Sequence, residues 1–127
     1  MLNWIDYRKA LFGRIGEIGK LSPETVRGYQ TLSGAGNKKD VLGAKTRELI
    51  SLGVAVSLRC DGCITVHTAE ALKHGATRDE IAEALGVAVA INAGAAMVYS
   101  ARTMDAVAAY TADAADAAEA TAAATAG

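Results

Sequence analysis

Residues 44–81 read AKTRELISLGVAVSLRCDGCITVHTAEALKHGATRDEI, and several helix boundaries are written into them. Leu49, Leu52 and Val56, with Ile50 and Val54 beside them, predict a helix from about Ala44 to Leu58. It is apolar over much of its girth and is therefore expected to be buried. Arg59 and Cys60 form a tight connection. The next helix runs from about Asp61 to His74 and stops at Gly75, a residue suited to the left-handed position after a helix. Thr77-Arg78-Asp79-Glu80 is then a capping box, with Thr77 as cap and Glu80 reaching back, and it opens a further helix. The run from Val54 to Leu58 taken alone passes for a strand, but the chain offers no second strand to pair with it. The stretch predicts an all-α fold.

Working outward, Trp4, Tyr7, Leu11, Ile15 and Ile18 fall at steps of three and four, one apolar helical stripe whose end is weakened by Gly13, Gly16 and Gly19. Ser22 suits an N-cap, Pro23 the first helical position and Glu24 the positive end of the helix dipole. A short helix follows to about Ser33, with Val26, Tyr29 and Leu32 facing one way. Residues 33–40, SGAGNKKD, are a loop by composition. On the C-terminal side Ile81, Leu85, Ala88, Ile91 and Ala95 form a stripe that either runs on towards Tyr110 or breaks near Asn92-Ala93-Gly94. Residues 111–127, TADAADAAEATAAATAG, have high helix propensity but no large apolar side chain to bury. They are expected to form a frayed extension or tail, and packing against another subunit is one way for it to become ordered. The expected organisation is one helical domain over residues 1–110, a bundle of about five to six helices, and an alanine-rich low-complexity tail at 111–127.

The 127 residues suit one domain. With 28 alanines, 13 glycines, one proline and six aromatic residues, the side chains are thin and helices approach closely. A core so modest predicts burial between subunits, that is, a homo-oligomer. Other classes drop out. No run is read as reaching the roughly 18 apolar residues of a membrane span. The first twenty residues carry acidic groups and no long apolar centre, unlike a signal peptide. Net charge is −1 with scattered basic residues, so neither a nucleic-acid footprint nor a polybasic membrane anchor is expected. Two cysteines do not make the disulfide framework of a secreted domain, and a cytoplasmic chain with reactive thiols is the better reading.

The chemistry-bearing string is Cys60-Asp61-Gly62-Cys63-Ile64-Thr65-Val66-His67. At about 100° per residue on a helix, Cys63 lies about 300° and His67 about 340° round from Cys60, so all three share a face. Cys63 and His67 are neighbours across one turn. The thiolate is the reactive form, and two devices favour it: the unpaired N–H groups of a first helical turn, and an imidazole able to take the proton. The second cysteine serves as the resolving thiol. A metal knuckle competes, but structural zinc wants four ligands, and His74 lies about 21 Å along the axis from Cys60. Two inert, buried cysteines are the other bland reading.

Glu48 precedes Cys60 by twelve positions. In an antiparallel hairpin its offset from the turn is about 15 Å against about 10 Å for His67, a gap two side chains span directly or through water. A carboxylate on so apolar a helix needs a partner. A relay follows in which Glu48 orients His67 and His67 activates Cys63; the competing role is a salt bridge to Arg47, Lys45 or Arg59. His74 reads as a cation at a helix end and Asp61 as a first-turn acid.

With Glu48, Cys60-x-x-Cys63-x-x-x-His67 and the following Lys73-His74-Gly75-Ala76-Thr77-x-x-Glu80-Ile81, the chain resembles the alkylhydroperoxidase D-like branch of the carboxymuconolactone decarboxylase superfamily over about Leu42 to Arg102. The resemblance implies an all-helical fold assembled into trimers or hexamers, and thiol-dependent peroxidase or disulfide reductase chemistry. It implies Cys60 and Cys63 as the redox pair, with Glu48 and His67 as the proton relay. No metal and no cofactor are expected. The implied substrate is a small peroxide or a protein disulfide, and the implied partners are a dithiol electron donor and a peroxiredoxin served by it. Two departures stand out: Gly62 occupies a position held by histidine in the founding peroxidase, and this chain holds one copy of a helical unit that the founding protein has twice. The superfamily's other chemistry, lactone decarboxylation, and a non-catalytic metal-binding helical assembly are the alternative functions.

Overall fold

The computed structural model describes residues 1–127 and contains helices only. They are α1 (Trp4–Leu21), α2 (Pro23–Ser33), α3 (Ala35–Lys39), α4 (Ala44–Ser57), α5 (Asp61–Lys73) and α6 (Arg78–Ala126). The all-α expectation holds, and so do most helix starts. Asn3 caps α1 by accepting the Asp6 N–H at 3.2 Å. Pro23 opens α2, although the Ser22 hydroxyl bonds the Thr25 hydroxyl at 2.8 Å instead of a backbone N–H. The residues expected as a loop wind into the single turn α3, closed by Asp40 at φ 50°. Arg47 secures that turn from α4, donating to Asp40 at 2.6 Å and to Asn37 at 2.9 Å.

Two helix ends share one construction. After α4 the Arg59 N–H donates to the Val56 carbonyl and the Cys60 N–H to the Ala55 carbonyl, with Arg59 left-handed at φ 54°. After α5 the Gly75 N–H donates to the Leu72 carbonyl and the Ala76 N–H to the Ala71 carbonyl, with Gly75 at φ 83°. Both are Schellman closures, which satisfy carbonyls that the helix leaves unpaired. The capping box of α6 also forms: the Thr77 N–H donates to Glu80 at 2.8 Å and the Glu80 N–H to the Thr77 hydroxyl at 3.1 Å.

The chain falls into two compact units, Met1–Val89 and Ala90–Gly127. In the first, α4 and α5 make the most extensive pair, and α1 packs against α2 and α5. The core is small. Leu52, Ala71 and Ala76 form its centre, flanked by Leu49 and Ile81. Ala71 is fully buried at 0 % exposure, while no large side chain is. The start of α6 approaches α4 where Gly53 leaves room, a Cβ there standing 3.8 Å from that of Ala88.

The second unit is the remainder of α6. The helix runs unbroken through Asn92-Ala93-Gly94, past Tyr110 and on to Ala126. The break near residue 92 does not occur, and the expected frayed tail is helical. Extending an existing helix needs no new nucleus, and alanine is the best residue for doing so. One 18-residue window in α6 is also long and apolar enough to cross a bilayer by length and composition, and most of it is exposed. The sequence expectation missed it because Gly86, Asn92, Gly94 and Ser100 interrupt the apolar run, although Leu85, Val87, Val89, Ile91, Met97 and Val98 keep the stretch apolar on average. No charged residue stands between Glu83 and Arg102.

Candidate functional site

The site is built where α4 turns into α5. The closure that ends α4 delivers Cys60 directly to the N-cap of α5, where its Sγ accepts the Cys63 N–H at 3.1 Å. The Cys60 carbonyl accepts the Ile64 N–H at 2.9 Å, the first bond of α5. Cys60 and Cys63 are joined as a disulfide with Cα atoms 5.2 Å apart. Both sulfurs therefore sit at the positive end of a helix, where a sulfur anion is favoured when the bond is opened.

His67 lies one turn further along α5. Its Nδ1 is 2.7 Å from Glu48 Oε2 on α4. The two side chains are 28 % and 19 % exposed, so the pair is shielded but not sealed. With the carboxylate ionised and the imidazole neutral, Nδ1 is the donor and Nε2 keeps a lone pair. Two of the other candidate partners of Glu48 are engaged elsewhere. Arg47 holds α3, and Lys45 donates to Glu80 at 2.8 Å. That contact and the Thr77 N–H hold the Glu80 carboxyl below its ordinary value, Lys45 being the larger cause.

A cleft of about 230 Å³ opens beside this pair. Cys63 and His67 form one wall; Ile50 and Val54 of α4 and Leu58 at its C-cap, spaced four apart, form the other. All three apolar residues are exposed. The sequence showed Ile50 and Val54 as apolar but not that they face the reactive group. His74 is not part of the site; it lies 3.8 Å from Glu70 at the far end of α5. Asp61 occupies the first turn of α5. No group of three or more His, Cys, Asp or Glu side chains is arranged to hold a metal ion.

Gly62 also has a structural reason. A Cβ at this position would stand 3.1 Å from Leu11 Cδ2 and 4.0 Å from the Tyr7 hydroxyl. The side of the disulfide turn that a larger residue would occupy is taken by α1. Tyr7 and Leu11 were legible as part of an apolar stripe, but nothing local showed that the stripe lies on the cysteine motif.

Comparison with known proteins agrees with this architecture. The model of the carboxymuconolactone decarboxylase family matches residues 23–106. An uncharacterised protein of Haemophilus influenzae is 44 % identical over 104 residues, 82 % of this chain and 92 % of that protein. One of Cupriavidus necator is 31 % identical over 91 residues, 72 % of this chain and 80 % of its own length. Among solved structures, the apo crystal structure of a carboxymuconolactone decarboxylase family protein from Legionella pneumophila is similar with a TM-score of 0.67 and 35 % identity, covering 77 % of this chain and 88 % of that one.

Proposed function

We propose that this chain, which belongs to the carboxymuconolactone decarboxylase family, is a thiol-dependent peroxidase and disulfide oxidoreductase working through Cys60 and Cys63. The observation that carries the reading is the placement of the Cys60–Cys63 disulfide at a helix N-terminus, one turn from an imidazole held by Glu48. An acid, an imidazole and two sulfurs brought together from two helices are what proton-coupled thiol chemistry requires.

In the reduced enzyme, His67 Nε2 accepts the Cys63 proton, and Glu48 stabilises the imidazolium through Nδ1. The Cys63 thiolate attacks the terminal oxygen of a hydroperoxide. The O–O bond breaks, Cys63 becomes a sulfenic acid, and the alkoxide takes a proton from His67 and leaves as an alcohol. Cys60 then loses its proton as its sulfur attacks the Cys63 sulfur; the disulfide forms, and the departing hydroxide takes up that proton and leaves as water. Two thiols and one hydroperoxide thus give one disulfide, one alcohol and one water. A dithiol donor, small or protein-borne, restores the pair by exchange, and a peroxiredoxin disulfide is an alternative oxidant in place of peroxide. Cys63 is the attacking sulfur in this scheme because it shares the cleft wall with His67. Repeated reduction of the pair fits the reducing cytoplasm.

A homo-oligomer, trimeric or hexameric, belongs to the same proposal. The chain leaves Val87, Ile91, Val98 and other large apolar residues of α6 exposed while its own core holds little beyond Leu52 and four alanines. We assign the uncharged stretch of α6 to contact between subunits rather than to lipid.

The test is reaction of the fully reduced protein with one equivalent of a hydroperoxide. Loss of two thiols per peroxide, with a Cys60–Cys63 bond found by peptide mapping, supports the reading. Thiols that persist against both peroxide and a disulfide oxidant overturn it.

A further inference from the structure

On a different face of α5 from Cys63 and His67, a second cleft of about 420 Å³ opens between α5 and α1. Its walls are Trp4 and Arg8 of α1, and Ile64, Thr68 and Leu72 of α5. The Thr65 hydroxyl ties the two helices together by donating to the Trp4 carbonyl at 3.2 Å. The lining is almost wholly apolar, with one cation in it.

That cation is anomalous. Arg8 makes no ion pair, its Nε is shut off from water, and Nε has no hydrogen-bond partner. Its guanidinium instead lies over the Phe12 ring, 4.9 Å from the centroid. A guanidinium stays charged under all ordinary conditions, and with Nε closed off its terminal nitrogens are the donors that an anion entering the cleft would meet. Every other feature matches a small-molecule site: the volume, the apolar and aromatic lining, and a single placed polar group. The missing component is an anion. A carboxylate is the group whose two oxygens fit the fork of a guanidinium.

We infer that the α1–α5 cleft binds a small apolar monocarboxylate, its hydrocarbon part against Trp4, Ile64 and Leu72 and its carboxylate on Arg8. The site is separate from the thiol centre. Steps of about 100° centre Ile64, Thr68 and Leu72 about 120° round α5 from the face of Cys63 and His67. It also depends on α1, which precedes the segment 23–106 shared with the family. The inference therefore stands whether or not the thiol chemistry is as proposed.

Trp4 is the only tryptophan and lines the cleft, so it reports occupancy directly. The full-length disulfide form is titrated with decanoate, decan-1-ol and acetate while Trp4 emission is followed, and decanoate binding is measured independently by calorimetry. Saturable binding of decanoate, weakened about tenfold or more by Arg8→Gln and retained in part by Arg8→Lys, is expected. Decan-1-ol binds more weakly, and acetate gives no response. Thr68→Phe, which fills the cleft without touching Arg8, abolishes decanoate binding and serves as the test should Arg8→Gln fail to fold. Absence of saturable decanoate binding overturns the inference, whether the cleft is covered by a second copy or simply does not bind. Equal affinity for acid and alcohol, binding indifferent to Arg8→Gln, or binding unchanged by Thr68→Phe overturns it as well.

Discussion

Glu48 Oε2 and His67 Nδ1 meet at 2.7 Å across 19 positions of sequence, joining α4 to α5 beside the disulfide. In the proposed chemistry this contact commits one nitrogen of His67 to the carboxylate and leaves the other to act as the base. His67→Phe is therefore expected to slow peroxide-driven oxidation of the thiols by about 100-fold or more. Glu48→Gln, which keeps the shape and a hydrogen bond but removes the charge, is expected to give a smaller loss and a displaced pH–rate profile. Stopped-flow thiol oxidation across pH measures both. A Glu48→Gln profile that superimposes on wild type removes the relay.

Cys60 caps α5 and closes only a four-residue ring with Cys63. So short a loop restrains little of the unfolded chain, and Cys60→Ser is expected to cost about 2 kcal/mol or less relative to the oxidised protein. Its chemical effect is larger. Without the resolving thiol, oxidation stops after one event with a sulfenic acid on Cys63, detectable by a sulfenate-trapping reagent. Trapping on Cys60 in Cys63→Ser, with none on Cys63 in Cys60→Ser, would reverse the assigned roles.

Glu80 supplies the pH dependence of stability that the structure makes explicit. Lys45 and the Thr77 N–H lower its folded-state value below the ordinary 4.5. A depressed acid stabilises the fold above its unfolded value, and the benefit is lost as pH falls through the depressed folded value. The stability difference between wild type and Glu80→Gln is thus expected to be full above about pH 5 and to shrink towards lower pH. The side chain is well solvated, so the effect is modest and is reduced by salt. Urea titrations at a series of pH values measure it.

Ile91 and Val98 are exposed and lie seven residues apart on α6, on one face of the helix. In solution the protein is expected to sediment well above the 13.0 kDa of one chain. The double variant Ile91→Asp/Val98→Asp is expected to move the distribution towards monomer and to lower the unfolding temperature at low protein concentration. Wild-type sedimentation as a monomer would refute the assembly.

Residues 111–127 extend α6 without burying a large side chain. Deleting them is expected to lower the far-ultraviolet helix signal while changing unfolding free energy by no more than about 0.5 kcal/mol. Dissociation of an oligomer on deletion would instead make this segment part of the subunit contact.

The helix boundaries were legible because they rest on local chemistry. Pro23 at a first turn, Gly75 after a last one and the reciprocal bonds of Thr77 and Glu80 involve residues within a few positions of one another. The meeting of Glu48 and His67 was legible for a related reason: in a hairpin the rise per residue converts sequence offset into height. The choice among Arg47, Lys45, Arg59 and His67 as the partner of Glu48 was not. It depended on Asp40 and Asn37 claiming Arg47, and on Glu80 claiming Lys45. Arg59 in a left-handed conformation was likewise invisible, because the residue itself does not favour it; the Schellman closure imposes it.

Short-range pattern alone thus settled the all-helical class, most helix ends and the cysteine–histidine face of α5, since each is decided within one or two turns of chain. Packing decided what lies beside that face. It set Ile50, Val54 and Leu58 along the cleft, laid Leu11 and Tyr7 over Gly62, and left Arg8 without a counter-charge in an apolar pocket. Those are contacts between helices distant in sequence, and no periodicity within one helix encodes which neighbour its exposed face will meet.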